Sequence, residues 1–227
     1  MGEGFQILDI VLLAMIAGFI ALRLRSVLGR RTGHERPPSE QVQARYGGAE
    51  NKGAVPPLDA GEGAPPADYR LILKPGSAAA DGIDAISRAD PHFNLSTFAQ
   101  GARGAYEMIL EGFWQGDREA FRGFVSDDIF RQFEDVIAAR EAAGETLKNS
   151  LERVRSMEIV DAKAANGMAT ISVRFTSDVV LMTVDSEGRV LSGNPVDKVD
   201  VKDVWTFERP LASADPNWTL VATHSED

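Results

Sequence analysis

The chain has no cysteine, only three histidines and three tyrosines, and no lysine or arginine before Arg23. Without cysteine it forms no disulfide, no thiolate metal site and no thiol nucleophile. His34, His92 and His224 are scattered along the chain, which argues against a zinc centre or a histidine-based catalytic cluster. Large aliphatic side chains are scarce from Thr32 to Asp68, where prolines pair at 37–38, 56–57 and 65–66. Such a stretch cannot bury enough apolar surface to offset the entropy of ordering its backbone. Residues 32–80 therefore read as a flexible tether, with a typical reach on the order of 30–35 Å by square-root chain scaling.

What the N-terminus does contain is an apolar stretch from Phe5 to Leu28, with Ile7, Leu12, Phe19 and Leu22 along it. A basic collar of Arg23, Arg25, Arg30, Arg31 and Arg36 follows at once. As a helix, Ile7 to Leu28 would measure roughly 33 Å, enough to cross a bilayer core. Asp9 and Arg23 would then sit near the two interfaces, where a long arginine side chain can snorkel to the headgroups. A cleaved signal peptide fits less well, because Met1-Gly-Glu-Gly4 carries no positive charge and the segment exits into Arg-Leu-Arg-Ser. Gln6 stands where myristoylation needs Ser or Thr. Residues 1–31 are thus expected to be an uncleaved anchor. The charge asymmetry predicts an N-out single span of a bacterial inner membrane with the body cytoplasmic, or on the matrix side of a mitochondrion. Ala14 and Gly18, like Ala17 and Ala21, form a small-xxx-small face through which a second copy could pair.

From Asp81 onward about 147 residues remain, a comfortable size for one domain. They hold 26 acidic and 15 basic residues, a net of −11. That charge excludes nucleic acid as a partner and is repelled by anionic headgroups, whereas the collar attracts them. Membrane lipid is therefore an expected partner of the anchor and collar alone. Between tether and domain, Tyr69-Arg-Leu-Ile-Leu-Lys-Pro-Gly76 is an apolar island, expected either to dock as an extra edge strand or to bind a partner. Docking is the favoured reading, since an exposed Leu-Ile-Leu run invites aggregation.

Helical periodicity comes first in the domain. Asn94 can cap a helix with Leu95, Phe98, Ala102, Ala105, Ile109, Leu110 and Phe113 on one face, ended by Gly116. Asp117 and Ser126 cap two more, the last carrying Ile129, Phe130, Phe133, Val136 and Ile137 and ending at Gly144. After Leu151 the period drops to two. Strands are predicted around Met157–Lys163, after the Asn166-Gly167 hairpin signal through Val179, over Val196–Arg209 and over Trp218–Thr223. Helices followed by antiparallel strands give an α+β domain over 81–227, helices packed on one face of a bent sheet.

These residues carry a family resemblance. FAQGARGAYEMI at 98–109, FWQGD at 113–117 and FEDVIAAR at 133–140 resemble the opening of the Tim44-like domain. DVWTFER at 203–209 followed by NWTL at 217–220 is the most specific piece. The resemblance spans roughly 92–223 and implies a nuclear-transport-factor-like cone, helices against a curved antiparallel sheet around an apolar pocket. It identifies the chain as similar to membrane-anchored bacterial relatives, the TimA type, of the adaptor of the mitochondrial inner-membrane import motor. The long chaperone-recruiting region of that adaptor has no counterpart in this tether.

Few residues suggest chemistry. Gly101, Gly104, Gly112 and Gly116 lie within a helix rather than after a strand and lack a Lys-Ser/Thr partner, so close packing explains them better than a phosphate loop. Asp127 and Asp128 suit helix capping better than a metal pair. No catalytic, cofactor or metal site is assigned. Phe98, Tyr106, Trp114, Phe175, Trp205 and Phe207 are candidate pocket residues, with the Tyr106 hydroxyl as a polar handle. Asp203 is expected to face solvent or pair with Arg209, although a bulge would turn it inward beside Trp205. The expected function is a non-enzymatic, membrane-anchored adaptor that holds a protein partner in translocation, insertion or complex assembly. The rivals are a lipid- or small-molecule-handling enzyme, marked by an inward carboxylate or histidine of strongly perturbed pKa in the pocket, and a structural subunit, marked by a broad apolar patch on the open sheet face.

Overall fold

Short polar side chains at chain turns set where each helix begins. The computed structural model describes residues 69–226. Ser77 accepts from the Ala80 amide at 3.2 Å and starts α1 (Ala78–Ala89). Asn94 accepts from Thr97 at 2.9 Å and starts α2 (Leu95–Gln115), which Gly116 ends in the left-handed conformation at φ 77°. Asp117 and Ser126 cap α3 (Arg118–Arg122) and α4 (Asp127–Ala142) in the same way. Each bond satisfies an amide that the first helical turn leaves without a partner. At the far end of α2, Arg140 donates to the carbonyls of Phe113 at 2.6 Å and Trp114 at 3.0 Å. A cation there also suits the negative end of the helix dipole.

The strands are β1 (Arg70–Ile72), β2 (Thr146–Leu147), β3 (Ser150–Ala165), β4 (Met168–Val184), β5 (Val190–Pro210) and β6 (Thr219–Glu226). They form one unclosed sheet in the order β1-β3-β4-β5-β6, with β2 paired to the far end of β4. Only the β1–β3 pairing is parallel. Asn166 and Gly167, at φ 53° and 76°, make the tight β3–β4 turn that the Asn-Gly pair predicts. Three register shifts in the β3–β4 pairing, between Leu151 and Arg153, Val154 and Ser156, and Ile159 and Asp161, bend the sheet. Gly193 makes another irregularity at φ 81°, where a Cβ would lie 2.0 Å from the Leu181 carbonyl oxygen.

The helices pack on one face of this curved sheet. Ala79, Ile83 and Ile86 of α1, Phe98, Ala102, Tyr106 and Ile109 of α2 and Ile129, Phe133 and Ile137 of α4 are buried. They join one core with the inward positions of β4, namely Ala169, Ile171, Val173 and Phe175. The outward residues of that strand, Thr170, Ser172, Arg174, Thr176 and Asp178, are polar. The mixed α+β class therefore stands. The expected span, from Ile7 to the collar, and most of the expected tether lie outside the described residues. Among the described residues no helix is long and apolar enough to cross a membrane.

Two expectations change and one is met. Residues 77–80, expected at the end of the tether, instead cap and open α1, whose Ala79, Gly82, Ile83 and Ile86 form a buried helical stripe. The ordered elements thus begin before residue 81. The apolar island docks: Arg70, Leu71 and Ile72 pair with Ser156, Met157 and Glu158, and Lys74 binds Glu158 at 2.6 Å. Tyr69 lies under the Arg103 guanidinium of α2, 5.1 Å from it. Finally, Gly101 and Gly104 face open space, so close packing does not explain them. Gly112, by contrast, is tight against α3, where a Cβ would lie 3.1 Å from that of Ala120.

Candidate functional site

Strand periodicity decides which side chains of β5 meet the helices. Asp203, Trp205 and Phe207 alternate onto the inner face opposite Phe175, Val173 and Ile171 of β4. Tyr106 comes down on them from α2. Its ring stacks on Phe175 at 4.2 Å with planes 8° apart, and meets Trp205 edge-on at 4.7 Å. Phe98, two turns earlier in α2, packs edge-on against Phe207 at 6.0 Å and Trp218 at 4.8 Å. Five of the six candidate pocket residues, Phe98, Tyr106, Phe175, Trp205 and Phe207, are therefore brought together. They fill the space between helix and sheet with their own rings, where a pocket was expected. Trp114 stands apart, half-buried near the end of α2.

Within this aromatic core lies a polar chain. The Tyr106 hydroxyl donates to Asp203 Oδ2 at 2.8 Å, and Ser177 donates to the Tyr106 oxygen at 3.3 Å. Ser225 of β6 donates to Asp203 Oδ1 at 2.7 Å. Asp203 is 9% exposed, and Tyr106 and Ser177 are sealed at 0%. Burial pushes the Asp203 carboxyl above the usual carboxylate range, while Ser225, Tyr106 and the charge of His224 pull it back down. Tyr106 is pushed well above its ordinary value, first by burial and then by the neighbouring carboxylate. The expectation that Asp203 faces solvent or pairs with Arg209 is overturned. No bulge is needed, because Asp203 shares the parity of Trp205 and Phe207 on a regularly paired stretch of β5.

Arg209 is also inward and pairs with Asp90 at the end of α1, with its guanidinium 5.2 Å from the Trp218 ring. Both charges are buried, at 9% and 7% exposure. The pair ties α1 to β5 and leaves Arg209 Nε without a partner. Sequence reasoning missed Asp90, Ser177 and Ser225. Ser177 alone carried a usable signal, since it falls in the inward series Ala169 to Val179.

The remaining surface divides by chemistry. On the outer face, Arg174 bridges Glu158 at 2.8 Å and Glu226 at 2.6 Å, and Ser172 bonds Thr206 at 2.9 Å. Among the described residues that face is polar, and the broad apolar patch expected of a structural subunit is not seen on it. Large exposed apolar side chains gather instead on the first half of β5, at Val190, Leu191, Val196 and Val199. A shallow hollow lined by Arg122, Asp127, Phe130 and Arg131 lies beside α3 and α4, away from the aromatic core. Two of its lining residues, Arg122 and Asp127, form an ion pair at 2.7 Å.

Comparison with known proteins places this geometry. No curated protein matches the chain. Among solved structures, the crystal structure of the intermembrane space region of the chloroplast protein ARC6 is similar at 11% identity, over 55% of this chain and 95% of that one. The TM-score of that match is 0.36. The family model of the Tim44-like domain matches residues 79–225, which run from the first turn of α1 to the Ser225 that closes on Asp203. The chain belongs to the Tim44-like domain family.

Proposed function

We propose that this protein is an adaptor of the inner membrane. Its N-terminal segment anchors it, the tether gives it reach, and the acidic domain holds a partner polypeptide at the cytoplasmic face during translocation, insertion or complex assembly. The observation that carries this reading is the Tim44-like match over residues 79–225. The apolar stretch from Phe5 to Leu28 and its arginine collar support the anchor and the orientation. The net charge of −11 from Asp81 onward keeps the domain off anionic headgroups, so that it is free to meet a polypeptide. Tethering raises local concentration toward the millimolar range for short flexible linkers, so weak intrinsic affinity suffices. Val190, Leu191, Val196 and Val199 offer apolar contact for such a partner.

A photoreactive residue placed at Val196, and in a control at Glu208 on the outer sheet face, tests this in native membranes. The adaptor reading expects a defined polypeptide adduct at Val196 and little at Glu208. Adducts of lipid or small molecules alone at Val196 would overturn it. One observation favours the rival reading of a small-molecule-handling enzyme: Asp203 is an inward carboxylate whose pKa is raised by burial. Such a group is suited to carry a proton.

A further inference from the structure

The two sides of β5 are covered unequally. β4 pairs with it without a break from Lys198 to Pro210, whereas β6 covers its other side only from Lys202 to Glu208. Among the described residues no strand pairs with that other side from Lys198 to Val201. Before Lys198 the strand bulges: Asn194 to Asp197 stand opposite Leu181 alone, and the Pro195 nitrogen has no hydrogen to donate. Asn194 holds this bulge, donating to Asp197 at 2.9 Å and accepting from the Val196 amide at 3.2 Å. The open edge is thus a short window, bounded by β6 at one end and by the bulge at the other. Within it Val199 shares the inner parity of Asp203 and Trp205, is 40% exposed, and ends a cross-strand row with Val179 and Leu151. Lys198 and Asp200 alternate to the outer face, where Lys198 binds Glu152 at 3.1 Å and Asp200 binds Arg155.

We propose that this window is the seam of a two-fold dimer, in which β5 of one copy pairs antiparallel with β5 of a second copy. Facing residues of an antiparallel pair lie on the same side of the sheet. A two-fold axis normal to the sheet therefore puts one residue opposite itself. Charge selects which one. Centred on Val199, the seam sets Lys198 opposite Asp200 of the second copy, twice by symmetry. Centred on Asp200, it would set Asp200 against itself and Lys198 against Lys202, like charges in both cases. The Val199 register also places Glu152, Lys198, Asp200 and Arg155 in alternating sign across the seam. On the inner face it joins the row of Leu151, Val179 and Val199 to its own image and covers the exposed valine. The bulge and β6 keep the seam short, so the dimer dissociates readily on dilution. Each copy has one such window, so association closes at two. This pairing needs no third molecule and does not rest on the adaptor reading.

The chain has no cysteine of its own, so disulfide trapping reads one chosen position at a time. In this register the two Cα atoms at position 199 lie about 4.5–5.5 Å apart, within reach of a disulfide. Full-length Val199→Cys, oxidised in native membranes, should give several-fold more linked dimer than Val190→Cys, a position that is 54% exposed but far along β5 from the axis. In the Val199→Cys background, Lys198→Asp and Asp200→Lys each put like charges across the seam and should each lower the yield several-fold. Co-expressed with different tags, these two variants should link to each other, because opposite charges then face again. Loss of the in-chain contacts to Glu152 and Arg155 allows no such recovery, since both stay broken in the mixture. Equal linkage at the two positions, or no linked dimer, would overturn the seam. So would charge variants that do not recover on mixing, or an adduct of Val199→Cys with another protein in place of the dimer.

Discussion

Trp205 illustrates how much rests on single side chains. It is 4% exposed and touches Tyr106, Phe175 and Phe207 with its ring. Truncation to alanine removes those contacts and leaves a void that packed neighbours fill only in part. Trp205→Ala should cost about 3–5 kcal/mol, read from the urea midpoint. A midpoint within error of the unmodified protein would make Trp205 a surface contact. Tyr106→Phe is subtler, because the ring stack survives and only the hydroxyl is lost. Asp203 Oδ2 then loses its donor inside the core, at about 1–3 kcal/mol while the carboxylate is charged. Asp203 already has a folded pKa above its unfolded one, so its contribution is full below the unfolded value and lost as pH rises through the folded value. Removing a donor to the ionised form raises the folded pKa further. The variant should therefore come close to the parent at low pH and fall away from it as pH rises, a trend that urea midpoints at pH 5 and pH 8 would check. An equal deficit at both would mean that the carboxylate does not feel the hydroxyl.

At the scale of the element, glycines that look alike in sequence differ in what surrounds them. Gly82 lies in α1 where a Cβ would stand 1.9 Å from the backbone oxygen of Ala162 in β3, which cannot yield without moving the strand. Gly104 lies in α2 with nothing within 4 Å. Gly82→Ala should thus destabilise by about 1–3 kcal/mol through overpacking. Gly104→Ala should stabilise by about 0.5–1 kcal/mol, since alanine loses less backbone entropy in a helix. Thermal melts of the two variants that moved in the same direction would refute the packing of α1 on β3. The same contrast explains what the sequence allowed one to see. Helices α2, α3 and α4 were legible from Asn94, Asp117 and Ser126, because a cap is a local bond between neighbours in the chain. The β3–β4 turn was legible because Asn166 and Gly167 tolerate positive φ. Helix α1 was hidden: its Ala-Ala-Ala-Asp-Gly start resembles a linker, and its Gly82 is there for β3, a partner some eighty residues away. The inward turn of Asp203 was in fact legible from the parity of Trp205 and Phe207, but a charge at a core position weighs against that parity. The hydroxyls that satisfy it, from Tyr106 and Ser225, come from elements that only the fold brings together.

The whole molecule joins an apolar, arginine-collared start to an acidic domain, and the two readings of its function assign these parts different weights. For an adaptor, position is what matters, because the tether supplies the local concentration that a modest interface needs. For an enzyme using the core, the charge of Asp203 matters and position is secondary. No described element of the domain lies within residues 1–31. Deleting them removes the proposed anchor and leaves the described helices and strands complete. Asp203→Asn keeps the shape of the side chain and its capacity to bond Tyr106 and Ser225, while removing the group that would accept a proton. Both variants, expressed to equal levels in a strain that lacks the protein, separate the readings by growth. The adaptor reading expects the deletion to fail and the asparagine variant to grow nearly as the parent does. A deletion that restores growth, together with a folded Asp203→Asn that does not, would transfer the function to the core. That pattern would also tie it to the ionisation of a single carboxylate.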